Sequence, residues 1–398
     1  MVPTGSPSAI GCAGRRIATS PMPTILIAPD KFKGSLSAAA VAAAIGEGLK
    51  RVWPDADLRL RPMADGGEGT LDALLSHGAR QQTDRVSGAS GQPITAAYGS
   101  IAEPPTVVIE AAQVVGFTDR VGTSVDVGRR STRGVGELIA HRLDGGVRRF
   151  LVGIGGSSTN DGGAGMLAVL GVKLADKKGD EIAATPDGLA ALASVDASAL
   201  DRRLGDADIT IMSDVDNTLT GEHGATAIFG PQKGVPRERI AEYDRRIANF
   251  ATLAERAIGR CAQQSPGAGA AGGLGFALQL IGGKVRSGAE VIADLIGLDQ
   301  ALAGADWAIT GEGKSDAQTA LGKVPLIVAR RAAKQRVPAT LISGSIDRAA
   351  LPDLGRHFAG CFALPSGPAS LEQCLADAAA LLADRAEQAA RLFEAAGR

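Results

Sequence analysis

The chain has 398 residues, more than one core usually organises, so two domains are expected. Apolar residues make up 45%, aromatics only 3%, and glycines number 53, a balance that suits α/β architecture with many tight turns better than a sandwich. The formal charge of −1 supplies no global field toward nucleic acid or anionic lipid, and neither is expected as a partner.

Residues 1–23 differ from the rest, with Pro3, Pro7, Pro21 and Pro23 among Ser and Gly, and read as a disordered N-terminal extension. The Arg15-Arg16 pair lacks the hydrophobic stretch that an export signal requires, and Met22 is an alternative start. Cys12, Cys261, Cys361 and Cys374 form no CxxC, and the four histidines form no HExxH. Neither a zinc site nor a disulfide framework is read, and a reducing, cytoplasmic setting fits. No apolar run is long enough to span a bilayer.

Residues 24–30 (TILIAPD) read as a short apolar strand. Lys31-Phe32-Lys33-Gly34-Ser35 then opens a helix with Val41, Ile45, Leu49 and Val52 on one stripe. Leu58, Leu60 and Met63 mark a second strand, ending in Ala64-Asp65-Gly66-Gly67-Glu68-Gly69-Thr70 before another helix. Both strand ends carry charged side chains beside glycine. Ligands of open α/β sheets bind beyond such carboxyl ends. Residues 94–101 and 106–110 read as strands of a mixed sheet, and 129–143 as a helix.

Residues 152–165 (VGIGGSSTNDGGAG) read as strand, Gly-rich turn and hydroxyl-rich helix start. Gly155 and Gly156 let the backbone come close to a ligand, and the orphan N–H groups of the next helix attract anions. Asn160 and Asp161 could instead cap that helix and do nothing else. Residues 173–182 read as a hairpin, 209–214 as a strand, 236–258 as a long charged helix, and 267–275 as closely packed backbone continuing into a helix. From about residue 288 the βα alternation returns: a helix to Leu302, a strand at 306–310, helix 324–334, strands 339–343 and 360–364, and a last helix at 371–395. Similar βα patterns at both termini predict one doubly wound domain interrupted by an inserted one.

Gly313-Lys314-Ser315 lacks the upstream glycine of a P-loop, since position 308 is Ala308 within a strand. A looser phosphate-contacting turn around Lys314 remains. Asp214-Val215-Asp216-Asn217-Thr218 matches the nucleophile motif of haloacid dehalogenase-type phosphatases, but that strand usually opens its domain, and here it does not. Asp65, Glu68, Asp161, Asp214, Glu312 and Asp316 all fall at strand ends or Gly-rich turns. If such carboxylates converge, cations must join them, and Mg²⁺ with a nucleotide, helped by Lys31, Lys33 and Lys314, is the economical answer. The bland reading is that about half of them cap helices.

Seven stretches, PDKFKGSL (29–36), ADGGEGT (64–70), GIGGSSTNDGGAG (153–165), FGPQKG (229–234), GAGAAGGLG (267–275), TGEGKSD (310–316) and GKVP (322–325), stand in the order found in type I glycerate kinases, which the chain resembles from Thr24 to near its C-terminus. The resemblance implies a discontinuous Rossmann-like (flavodoxin-like) domain from 24–70 and 286–398, with an inserted α/β domain at 71–285. It also implies ATP-dependent phosphorylation of D-glycerate at the C2 hydroxyl in an interdomain cleft, with 3-phosphoglycerate as the alternative product. The usual DVTNPL reads Asp214-Val215-Asp216-Asn217-Thr218-Leu219 here, which puts that loop's geometry in question.

On this reading Lys33, Asp65 and Asp214 are the candidate catalytic residues, Lys33 with the helix at Ser35 anchoring glycerate's carboxylate and Asp214 taking the hydroxyl proton. Binding is expected from Lys31, Ser35, Gly66, Gly67 and Glu68, from the turn Gly155, Gly156, Ser157, Ser158, Thr159 and Asn160, and from Lys233, Gly311, Gly313 and Lys314. Asp161, Glu312 and Asp316 are the expected Mg²⁺ ligands. A phosphatase using Asp214 and Asp216 and a non-catalytic sugar-acid sensor are the competing readings, and a homo-oligomer is left open.

Overall fold

The computed structural model describes residues 22–397, so the extension expected at 1–23 lies, apart from Met22 and Pro23, outside the described residues. In chain order the strands are β1 (Thr24–Ile27), β2 (Asp57–Leu60), β3 (Arg80–Ser87), β4 (Pro93–Ile101), β5 (Thr106–Glu110), β6 (Arg149–Gly153), β7 (Lys173–Ala175), β8 (Ser194–Asp196), β9 (Asp208–Met212), β10 (Lys284–Arg286), β11 (Trp307–Thr310), β12 (Lys314–Ser315), β13 (Ala339–Ser343), β14 (Ser345–Ile346) and β15 (Gly360–Ala363).

Five of them form an all-parallel sheet in the order β15-β13-β11-β1-β2. Numbered along the chain, that order is 2-1-3-4-5, the flavodoxin-like arrangement, whose ligand crevice opens where the order reverses. The reversal lies between β1 and β11. A second sheet runs β10-β9-β6-β5-β4-β3, antiparallel at β3–β4 and β4–β5 and parallel elsewhere.

Burial on both faces explains why β1 and β11 read as unbroken apolar runs. Ile25 and Ile27 pack beneath the helices Ala38–Lys50 and Ala378–Ala395, where Trp307 stacks on Phe393 at 4.7 Å between ring centroids. Those two helices approach closely: a Cβ on Gly48 would stand 2.0 Å from the Ala383 carbonyl oxygen. The opposite face carries Leu26, Ala28, Ala308 and Leu341 against the helices Gly288–Leu295 and Val324–Lys334. That cluster continues into Val108, Leu151 and Met212 of the second sheet. One apolar layer therefore lies between the two sheets and sets their strand ends against each other. The other face of the second sheet buries Phe150, Val152, Ile209 and Ile211 under further helices.

Several elements differ from the expectation. The first long helix begins at Ala38, capped by Ser37, because Phe32 and Leu36 exchange backbone hydrogen bonds of 2.9 and 3.0 Å around Gly34, at φ +80. Lys33 and Ser35 thus belong to a tight loop, not to a helix start. β3 escapes a pattern search because its sequence, RQQTDRVS, is polar, and only ladder pairing with β4 makes it a strand. The helix expected up to Leu302 breaks at Gly297 (φ +65), and the C-terminal one breaks at Asp377. The hairpin expected at 173–182 does form, through an antiparallel Ala175–Glu181 bridge with Asp176 N donating to the Asp180 carbonyl at 2.9 Å and Ile182 N to the Leu174 carbonyl at 3.0 Å, but β7 also pairs with β8. Among the described residues no helix is long and apolar enough to cross a membrane.

Candidate active site

Two Gly-rich turns, one after β2 and one after β6, meet at the ends of the two sheets. A Cβ on Gly153 would stand 2.2 Å from the Gly66 carbonyl oxygen, and one on Gly155 would stand 2.9 Å from the Gly67 Cα. Only glycine permits that approach. On either side of this crossing open two cavities of about 560 and 820 Å³, both lined by Lys33, Asp65, Gly67, Gly155 and Gly156. They are two lobes of one cleft at the reversal point of the strand order. Gly66, Ser157, Asp214, Gln232 and Lys233 line the smaller lobe. Lys31, Ser35, Glu68, Glu312, Gly313 and Lys314 line the larger one, whose outer wall includes Leu364, Leu371 and Leu375.

Lys233 dominates the smaller lobe. It lies on the short 3-10 turn Pro231–Lys233 and is 3% exposed. Its Nζ donates to Ser157 Oγ at 3.1 Å and to the Thr159 carbonyl at 2.7 Å. An ammonium has three donors, so one is left for an acceptor in the cavity. Burial brings its pKa down to about 7, with Asp161 opposing and Arg130 adding to that effect. Buried Arg130 ties the lobe together, donating from Nη1 to the carbonyls of Ser158 (3.2 Å) and Lys233 (3.0 Å).

Asp214 stands across the lobe at the end of β9, where the Gly288 N–H donates to its Oδ1 at 3.3 Å. Much of the residue faces solvent, yet desolvation of the carboxylate, reinforced by the charge of Asp65, pushes its pKa up to about 6 against a hydrogen bond from Ser287. A carboxylate poised there suits proton abstraction near neutral pH. Asp216 lines neither lobe, so the two-aspartate arrangement of a dehalogenase-type phosphatase is not formed.

The larger lobe gathers carboxylates. Burial and then the charge of Asp65 push Asp30 up to about 8, with Glu312 adding to the repulsion. Glu312 is buried and accepts from Ser315 Oγ at 2.9 Å and Thr319 Oγ1 at 2.5 Å, with Lys323 Nζ 3.9 Å away. Burial raises its pKa too. Among the described residues, no group of three or more His, Cys, Asp or Glu side chains is arranged to hold a metal by itself. Mg²⁺ normally takes one or two carboxylates and completes its shell with phosphate oxygens and water. The hard oxygens of Asp30 and Glu312, both raised in pKa, fit that demand.

A stability prediction follows from Asp30. Its folded pKa lies above the unfolded 3.8, so its contribution to stability is fully present below about 4 and lost as pH rises through about 8. Asp30→Asn mimics the protonated form. Without nucleotide or metal, the variant should melt higher than wild type at pH 8.5 and match it at pH 4. Equal shifts at both pH values in thermal scans would contradict the electrostatic cause.

Several expected residues are placed elsewhere. Asp161 is not at the cleft: it is fully buried, and its oxygens accept from Thr132 N and Oγ1, Gly163 N and Gly165 N at 2.7–3.1 Å. It thereby takes the amides at the start of the helix Ala164–Val169, so the capping alternative describes it and the metal-ligand expectation does not. Ser158, Thr159 and Asn160 are buried outside both lobes. Ser158 Oγ donates to the Val115 carbonyl, Asn160 Nδ2 donates to Thr226 Oγ1, and Thr159 meets Lys233 only through its carbonyl. Gly311 lies beneath the site, where a Cβ would stand 1.8 Å from the Ile342 carbonyl oxygen. Asp316 lines neither lobe and sits 3.9 Å from Lys323 and 4.0 Å from Lys314. Sequence reasoning overlooked Asp30, Arg130 and Lys323. Asp30 and Lys323 lie inside the stretches PDKFKGSL and GKVP, which carried a usable signal, whereas Arg130 lies in no such stretch.

The comparisons with known proteins agree with one another. The model of the Glycerate kinase family matches residues 25–394. The chain belongs to the glycerate kinase family. A glycerate kinase of Bacillus subtilis (strain 168) is 42% identical over 362 residues, covering 89% of this chain and 94% of the relative. A glycerate 2-kinase of Escherichia coli (strain K12) is 41% identical over 326 residues, or 81% and 85%. A crystal structure from Salmonella typhimurium LT2, provisionally named glycerate kinase 2, superposes with a TM-score of 0.82 at 40% identity, covering 94% of this chain and 99% of that one. This glycerate kinase is therefore an enzyme that phosphorylates glycerate, and the sensor and phosphatase readings give way to it.

Proposed function

We propose that this glycerate kinase transfers the γ-phosphoryl group of ATP to the C2 hydroxyl of D-glycerate, giving 2-phosphoglycerate and ADP. The observation that carries the reading is the two-lobed cleft, which joins a small lobe holding a buried lysine and a raised-pKa carboxylate to a larger lobe with carboxylates and an apolar wall. Glycerate's carboxylate is held by the third donor of Lys233, its hydroxyl faces Asp214, and the triphosphate runs over the Gly67–Gly155 crossing. Asp214 takes the hydroxyl proton as the oxygen attacks phosphorus. Mg²⁺ held by Asp30 and Glu312 supplies charge neutralisation at the phosphates when bound. Asp65, whose Oδ1 accepts from Gly67 N at 3.0 Å, keeps its turn in shape beside both lobes. The C2 assignment draws on the name of the E. coli relative. Residues 24–70 with 286–398 form one domain on this reading, 71–285 the other, and the setting is cytoplasmic.

Incubation with ATP, Mg²⁺ and D-glycerate, with ADP release and enolase coupling followed together, tests the proposal. Enolase accepts 2-phosphoglycerate directly, so a signal without phosphoglycerate mutase is expected. ADP release with a signal only after mutase is added would establish the C3 product, and no ADP release would overturn the donor.

Lys33 takes a role different from the one expected. Its loop precedes the helix cap, and it lines both lobes at their junction, where charge develops on the transferred group. Lys33→Ala should lower kcat about 10²-fold, or about 2.7 kcal/mol, with the KM for glycerate little changed. A loss confined to the KM for glycerate would return Lys33 to carboxylate binding. The melting temperature should hold, because the side chain is exposed.

A further inference from the structure

The larger lobe is divided along its length. Its inner end carries Lys31, Lys33, Asp65, Glu312 and Lys314, with Ser345 on the strand paired beside Lys314, and these groups suit a triphosphate and its metal. The outer end is walled by Leu364, Pro365, Leu371, Cys374, Leu375 and Ala378, whose side chains offer one weak donor, the Cys374 thiol, and no strong acceptor. Part of the main chain there is committed. Arg385 Nη2 donates to the carbonyls of Leu364 (3.2 Å) and Pro365 (3.1 Å), Leu364 N donates to the Ser343 carbonyl at 3.0 Å, and Ser35 Oγ donates to the Leu375 carbonyl at 3.0 Å. Leu371 and Leu375 remain 75% and 39% exposed on the helix Leu371–Ala376, forming an open greasy wall with few groups to read the edge of a base.

We infer that the donor site holds the purine by shape and apolar contact alone, so the enzyme accepts ATP and GTP with little discrimination; this rests on the proposed nucleoside triphosphate donor. Adenine and guanine present the same π-face and differ in the hydrogen-bonding groups at their edges. Sites built to hydrogen-bond such groups reject the wrong partner by about 10⁴–10⁵-fold, whereas apolar pockets reach about 10²-fold. The outer wall is of the second kind.

The test compares kcat/KM for ATP and GTP at saturating D-glycerate and Mg²⁺. A ratio within about 10²-fold is expected, and a larger one overturns the inference. Turnover with neither nucleotide would instead overturn the donor reading itself. Leu371→Asp, on an exposed position, should raise the KM of both nucleotides together and leave the KM for glycerate unchanged. Unaltered nucleotide KM values would place the base elsewhere. An independent readout is iodoacetamide labelling of Cys374, followed by peptide mass spectrometry with exposed Cys261 as the control. ATP and GTP, each at saturation, should slow labelling of Cys374 equally and leave Cys261 untouched; protection by ATP alone counts against the inference.

Discussion

Asp214→Asn is expected to lower kcat by about 10²–10⁴-fold, the range lost with a positioned general base. The asparagine keeps the acceptor toward Gly288 N and the volume of the side chain, and it removes a carboxylate whose raised pKa costs stability above about pH 6, so the melting temperature should hold or rise there and should not fall. The pH profile makes the prediction specific. A base titrating at about 6 must be ionised to act, so wild-type kcat/KM should rise through that pH, and the variant should lose the rising limb. Measuring kcat/KM between pH 5 and pH 9 checks both claims. Loss of activity with the limb intact would make Asp214 a structural residue and move the base to Asp65.

Lys233→Met is expected to lower kcat/KM for glycerate by about 10²-fold or more, mostly through KM, because truncating one partner of a buried charge pair costs about 2–5 kcal/mol. The KM for ATP should change little, since Lys233 lines the smaller lobe and not the larger. Lysine binds an anion in its charged form. With a pKa of about 7 in the free enzyme, binding should be strongest below that pH and weaken above it. Together with Asp214, this predicts a narrow bell for kcat/KM, rising through about 6 and falling through about 7. In the glycerate complex the carboxylate favours the ammonium, so the falling limb of kcat should lie higher than that of kcat/KM. Lys233→Met should flatten the falling limb alone. Persistence of that limb would assign it to another group, and an equal rise in KM for ATP and glycerate would mark a collapsed site.

The two variants also separate folding from chemistry. Lys233 is depressed in pKa by burial, so its desolvation cost is largest at low pH and is relieved as pH rises from about 7 toward its unfolded value of 10.5. Methionine removes that cost and leaves Ser157 Oγ and the Thr159 carbonyl without their partner, two effects of opposite sign. The division of the loss between kcat and KM therefore distinguishes binding from folding more cleanly than a stability measurement does.

What the sequence determined by itself was local. The apolar runs of β1 and β11, the glycines at 66, 67, 155 and 156, and the βα alternation near both ends are short-range patterns with short-range causes: burial on two faces, and backbone conformations open only to glycine. They sufficed for the α/β class, the discontinuous doubly wound sheet and the turns that line the cleft. The tertiary structure decided the rest, because these questions turn on what each group meets from distant parts of the chain. Asp161 and Asp214 look alike beside their strands, yet Asp161 meets Thr132 and two amides in the core while Asp214 faces a cavity. Lys33 and Lys233 look alike beside glycine, yet one remains in solvent and the other is buried on Ser157 and Thr159 with its pKa brought down to about 7. Asp30 gains its raised pKa from burial and from Asp65 and Glu312, which approach from the ends of two other strands. Residue type and spacing set which groups were available; desolvation and neighbouring charge, which exist only once the sheets are packed together, set what each can do.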